Sequence, residues 1–167
     1  MHHVEERSVQ CFVGTVSDTR TVDTDKSGNL IKELLHKNGH TCVEHVIVRD
    51  EMSEIDQIIQ EGSKNKEVEA ILLTGGTGIS MRDVTIEVVE KRLEKEIPGF
   101  GELFRMLSYT EDIGSAAMMS RATAGVINQK VIFAMPGSSG AVKLAMEKLI
   151  LPELSHLSHE LHKDKVN

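Results

Sequence analysis

The chain has 167 residues, 40% of them hydrophobic and 27% charged, and a formal net charge of −7 at pH 7. That length fits a single domain spanning residues 1–167 with a sizeable core. The acidic balance argues against a nucleic-acid binder, which needs a basic face, and 3% aromatic residues cannot supply a base-stacking platform.

Val9–Val16 is apolar and β-prone and is expected to form a buried strand. A polar, turn-rich stretch follows from Asp18 to Asp25. Ser27 can cap a helix with apolar positions Leu30, Ile31, Leu34 and Leu35, stopping at Gly39. Thr41–Val48 is the second strand. Ile55, Ile58 and Ile59 mark a helix that runs out near Gly62 or Asn65. Ala70–Thr74 is the third strand and Val84–Glu96 the third helix. Pro98 suits a helix first turn, and Phe100, Leu103, Phe104 and Leu107 share one helical face. Gly114–Arg121 reads as a short helix. Gly125–Ile127 and Lys130–Ala134 form a hairpin around Asn128-Gln129. Helices from about Ala141 to Ile150 and from about Pro152 to His162 close the chain. This alternation predicts an α/β fold with a mainly parallel sheet, mixed by the late hairpin.

Cys11 and Cys42 lie in apolar runs without a CxxC partner and read as small buried hydrophobes of a reducing compartment. The eight methionines are expected to fill core gaps. No run is long enough to span a bilayer, and Met1–Arg7 lacks the apolar core of a signal peptide. A cytoplasmic location is therefore expected. His156, His159 and His162 recur at a spacing of three, but no Glu-x-x-His or HExxH pattern makes them a metal site.

Two glycine-rich corners follow strands: Thr74-Gly75-Gly76-Thr77-Gly78 and Pro136-Gly137-Ser138-Ser139-Gly140. In a parallel sheet both fall on the carboxyl edge, where ligands bind. Glycines let the backbone amides approach an anion. Neither corner is a Walker A loop or a GxGxxG fingerprint, and each alone could be only a turn. Asp50 ends the second strand, and Arg82-Asp83 follows the first corner. Ser80-Met81-Arg82-Asp83 has capping-box spacing, so Asp83 either closes a helix start or serves a site. Asp50 is either a solvated turn residue or, with Asp83, a holder of Mg²⁺ against phosphates. Ser17, Asp18 and Ser27 lie after the first strand on the same edge, as an ordinary polar loop or part of the site.

Together these features resemble the MoaB/MogA family of molybdenum-cofactor biosynthesis proteins. The resemblance rests on Thr74–Gly78, Arg82-Asp83-Val84-Thr85, Pro98-Gly99-Phe100-Gly101-Glu102, Ser120-Arg121 and Pro136–Ala141. Ser17-Asp18-Thr19-Arg20 and Asp25-Lys26-Ser27-Gly28 look like the family's first loop and helix start, and Gly-Ser-Ser-Gly-Ala points to the MoaB branch. The resemblance implies an α/β/α sandwich and a homo-oligomer, a trimer or a hexamer. It implies that molybdopterin and ATP are substrates, that Mg²⁺ is the cofactor, and that the pterin's terminal phosphate is adenylylated. A MoeA-like metal-insertion protein is the implied partner. Asp50 and Asp83 match the family's functional aspartates and are the expected catalytic and Mg²⁺-placing residues. Both glycine corners and Arg82 are expected to bind phosphate, with Ser17, Asp18, Ser27 and Ser120 nearby. The alternative is a protein that binds and hands over molybdopterin without chemistry.

Overall fold

The computed structural model describes residues 7–163. In chain order it contains β1 (Gln10–Val16), α1 (Lys26–Lys37), β2 (Thr41–Val48), α2 (Met52–Lys64), β3 (Ala70–Thr74), α3 (Thr85–Arg92) and β4 (Lys95–Glu96). Then come α4 (Pro98–Glu111), a 3₁₀ segment (Gly114–Met119), β5 (Thr123–Ile127), β6 (Lys130–Met135) and α5 (Ser139–Ala145). A π-helical segment (Met146–Ile150) joins α5 to α6 (Leu151–His162).

The six strands form one sheet in the order β2–β1–β3–β6–β5–β4. The pairs among β2, β1, β3 and β6 are parallel, and the β6–β5 and β5–β4 pairs are antiparallel. Every residue of β3 and β6 is buried, as continuous apolar runs require when helices cover both faces. Leu72 packs on one face with Ile31, Leu35, Phe104 and Met146, so α1, α4 and the C-terminal helices form that layer. Ile71 and Leu73 pack on the other face with Ile55, Ile59, Ile86 and Val89 of α2 and α3. The result is a three-layer α/β/α sandwich. Among the described residues no helix is long and apolar enough to cross a membrane.

Several boundaries differ from the sequence reading for identifiable reasons. The cap of α1 is Asp25, not Ser27: its carboxylate accepts the Gly28 N–H at 2.9 Å. Helix α3 stops at Arg92, short of Glu96, because Lys95–Glu96 pairs with the open edge of β5. Gly125 permits that approach: a β-carbon there would strike the Lys95 carbonyl. Asn128 (φ 47°) and Gln129 (φ 62°) both take the left-handed conformation that a tight primed hairpin demands. The two C-terminal helices run on as one, because the π-helical segment widens the helix just before Pro152, which has no N–H to donate.

The methionines are not mainly core fillers. Met135 and Met146 are buried, but Met81 is 95% exposed, and Met52, Met106, Met118 and Met119 also face solvent. Cys11 is buried, which pushes its thiol pKa far up, whereas Cys42 is only half-buried on the edge strand.

Candidate functional site

Parallel strands β1, β2, β3 and β6 all deliver their following loops to one edge of the sheet. Those loops enclose a cavity of about 460 Å³. Its walls include Ser17, Asp18, Ser27, Asp50, Thr74, Gly75, Gly76, Thr77, Gly78, Asp83, Ser120, Pro136 and Gly137. The sequence reading named each of these. It missed Thr15, Val16, Thr19, Arg20 and Met119, which also line the cavity and adjoin named residues in the chain.

The two glycine corners meet. The Thr74 hydroxyl donates to the Pro136 carbonyl at 3.0 Å, and the Gly75 N–H donates to the Met135 carbonyl at 3.0 Å. The amide of Gly75 is therefore spent on the fold and is not available to a ligand. Gly75 (φ +97°) and Gly76 (φ +66°) hold conformations that a side chain strains, and a β-carbon on Gly75 would collide with the Val16 carbonyl. Thr85 locks the corner from below: its hydroxyl donates to the Gly75 carbonyl at 2.9 Å and its N–H to the Gly76 carbonyl at 3.0 Å. Among the described residues the amides of Gly76, Thr77 and Gly78 have no protein acceptor. These are the donors open to an anion.

Asp83 sits over this corner. Its Oδ2 accepts the Ser80 N–H at 3.0 Å and the Ser80 hydroxyl at 2.5 Å, while the Asp83 N–H donates to the Ser80 carbonyl. The side chain thus closes a turn ahead of α3, whose first residue is Thr85. The capping-box spacing is realised as that turn, and Oδ1 of Asp83 has no protein donor among the described residues. The Asp50 carboxylate meets the Asp18 backbone N–H and has no side-chain donor among them. Burial first, and then the negative charges of Asp18 and Asp83, raise its pKa above the ordinary carboxylate value.

Asp18 is differently placed. Its Oδ1 accepts Arg82 Nη2 at 2.9 Å and the Asp50 N–H at 3.0 Å, and Arg82 Nε reaches its Oδ2 at 3.2 Å. The Arg82 guanidinium holds the Asp18 carboxyl below its ordinary pKa. Arg82 also reaches Glu51 at 3.1 Å. It ties together the loops after β1 and β2 and does not line the cavity. Ser138, Ser139 and Gly140 do not line it either: Ser138 caps α5 by accepting the Ala141 N–H at 3.2 Å.

Two supports were not foreseen. Arg121 donates to the carbonyls of Thr77 (3.1 Å), Gly78 (3.0 Å) and Asp83 (3.2 Å) and forms an ion pair with Glu87. It holds the whole 77–83 loop by its backbone. Below the cavity floor, fully buried Asp25 accepts from the Thr15 hydroxyl at 2.5 Å and contacts His45 Nε2 at 2.9 Å. Gly28 leaves room for this cluster, since a β-carbon there would clash with all three side chains.

Open amides, two carboxylates and a cavity thus lie together at the carboxyl edge of an α/β sheet, the edge at which such folds bind ligands. Residues 12–156 match the family model described as "Probable molybdopterin binding domain". The chain belongs to that family, the MoaB/MogA family of molybdenum-cofactor biosynthesis proteins. It is 58% identical over 157 residues to Molybdenum cofactor biosynthesis protein B of Bacillus anthracis, across 94% of this chain and 93% of that one. A crystal structure of Molybdenum cofactor biosynthesis protein B has 57% identity and a TM-score of 0.93, covering 95% of this chain and 98% of that chain. The tungsten cofactor synthesizing protein MoaB from Pyrococcus furiosus has 38% identity and a TM-score of 0.83, over 93% and 98%.

Proposed function

We propose that this protein acts in molybdenum-cofactor biosynthesis as a molybdopterin adenylyltransferase. In the proposed reaction an oxygen of the pterin's terminal phosphate attacks the α-phosphorus of ATP. The bond from that phosphorus to the bridging oxygen breaks, and pyrophosphate leaves. A phosphate oxygen is already ionised near neutral pH, so no strong general base is needed. The difficulty is charge. At about 4 Å and an effective dielectric of about 20, two like unit charges repel by roughly 4 kcal/mol. The site must therefore neutralise and align the phosphates.

The observation that carries this reading is the carboxylate of Asp50, which has no side-chain donor among the described residues and lines the cavity with Asp83. Two hard carboxylate donors suit Mg²⁺, which takes one or two carboxylates and keeps several waters. Asp50 and Asp83 would hold it; when bound, Mg²⁺ supplies positive charge to the reacting phosphates. The free amides of Gly76, Thr77 and Gly78 orient the pterin's terminal phosphate. Thr85 and Arg121 keep those amides in place. The product then passes to a MoeA-like metal-insertion protein.

The chain acts in this reading as a homo-oligomer, a trimer or a hexamer. Leu103, Met106, Tyr109 and Met118 are exposed apolar side chains on and after α4, and they supply a surface for self-association. Light scattering at micromolar concentration tests this part.

The reaction is tested by incubating the protein with molybdopterin, ATP and Mg²⁺ and measuring pyrophosphate. Steady release that Asp83→Asn removes supports the adenylyltransferase. Pterin binding without pyrophosphate selects a carrier, and absence of pterin binding overturns both.

A further inference from the structure

We propose that Arg20 is the cationic contact for a ligand phosphate in this cavity. The inference rests on the reading of the cavity as a site for phosphorylated ligands and adds a residue to it. Among the described residues lining the cavity, Arg20 is the one cation.

Five of the other six arginines are committed elsewhere, and Arg105, on α4, lies outside this cavity. Arg7, Arg49, Arg82, Arg92 and Arg121 each form an ion pair with a carboxylate. Arg20 forms none among the described residues; its guanidinium makes a single hydrogen bond, from Nη1 to the Thr24 carbonyl at 2.8 Å. A guanidinium carries five N–H donors, so most of its donor capacity and all of its charge remain open. The carbonyl bond orients the side chain without neutralising it.

The loop presents Arg20 by design of its turns. The Ser17 hydroxyl accepts the N–H groups of Thr19 (3.2 Å) and Arg20 (3.1 Å). The Thr24 hydroxyl accepts the Thr21 N–H at 2.8 Å and closes the next turn. A fork of donors on a folded loop suits the tetrahedral oxygens of a phosphate better than a flexible ammonium does.

Charge balance points the same way. Arg82 already compensates Asp18. A divalent cation held by Asp50 and Asp83 would be balanced by those two carboxylates. The ligand's own phosphate charge would then meet only neutral amides and Arg20.

The test is calorimetric titration of the full chain, in Mg²⁺, with ATP, adenosine and molybdopterin, comparing wild type with Arg20→Ala and Arg20→Lys. Arg20→Ala should weaken ATP or molybdopterin by about tenfold or more. The ligand that loses affinity identifies whose phosphate Arg20 takes. Arg20→Lys should recover only part of the loss, and adenosine binding should not change. The melting temperature should hold, since one loop hydrogen bond is removed. If wild type binds both phosphorylated ligands and Arg20→Ala binds both equally well, the inference is overturned while the function proposed above stands. If wild type binds neither, both fall.

Discussion

Oδ1 of Asp50 occupies space that only a glycine at position 76 leaves open: a β-carbon on Gly76 would lie 2.9 Å from it and would also strike the Thr85 hydroxyl. The end of β2 and the corner after β3 approach each other because that side chain is missing. Gly76→Ala should therefore damage the site and the fold together. The left-handed φ and the clashes should cost roughly 1–3 kcal/mol. Thermal denaturation should show the loss, and pterin binding should fall with it. Gly99→Ala is the control, since nothing lies within 4 Å of a β-carbon there. It should leave pterin binding unchanged and should not lower the melting temperature.

Asp50 should trade stability for function. Burial, then Asp18 and Asp83, raise its carboxyl pKa in the folded protein. A raised folded pKa means that the fold favours the protonated form. Its stabilising contribution is complete below the unfolded pKa of about 4 and is lost as pH rises through the folded value. At neutral pH and without divalent cations, Asp50→Asn should thus melt higher than wild type. The advantage should vanish as the buffer is taken below about pH 4. The same variant should lose roughly 100-fold or more in turnover. An Asp50→Asn protein that melts lower than wild type at neutral pH would contradict this account of the carboxylate.

Arg121 should control the mobility of the loop that presents Asp83. Its guanidinium donates to three loop carbonyls, so Arg121→Ala removes several bonds at once. Hydrogen exchange of residues 77–83 should rise, and ligand affinity should fall by about tenfold. Glu87→Gln should do less, because Arg121 keeps its bonds to the loop carbonyls. Equal exchange in Arg121→Ala and wild type would show that other contacts hold the loop.

Asp25 should be the most damaging polar substitution under the site. Asp25→Ala leaves the Thr15 hydroxyl, His45 and the Gly28 amide without their buried acceptor. Each buried donor left without its acceptor costs about 1–3 kcal/mol. Urea denaturation should resolve this. Asp25→Asn keeps the side-chain shape and an acceptor oxygen and should cost less.

Much of this architecture is legible in the sequence. The strands Thr41–Val48 and Ala70–Thr74 match the sequence reading residue for residue: Ala70–Thr74 because a buried parallel strand writes itself as an apolar run, and Thr41–Val48, a half-exposed edge strand, because of its β-branched residues between turn residues. The two glycine corners and Asp50 were placed on one edge by topology alone. What escaped was whatever depends on a partner distant in sequence. Lys95–Glu96 looks helical until β5 offers its open edge. Arg82 looks like a phosphate contact until Asp18 and Glu51, 64 and 31 residues away, claim it. Arg121 stood inside the family pattern, but its role lies in carbonyls more than 35 residues upstream. Asp25 and His45 look like a loop acid and a strand histidine until Gly28 lets them meet. Arg20 is legible from its neighbours, since it closes the Ser17-Asp18-Thr19-Arg20 segment after the first strand.

Transfer of the α-phosphate of ATP is the measurement closest to the central claim. The protein is incubated with molybdopterin, Mg²⁺ and ATP carrying an isotope label at the α-phosphate, and the pterin is recovered. The account predicts label on the pterin, one pyrophosphate per labelled pterin, and loss of both in Asp50→Asn and Asp83→Asn. Unlabelled pterin that the protein nevertheless binds would contradict it and leave a carrier in its place.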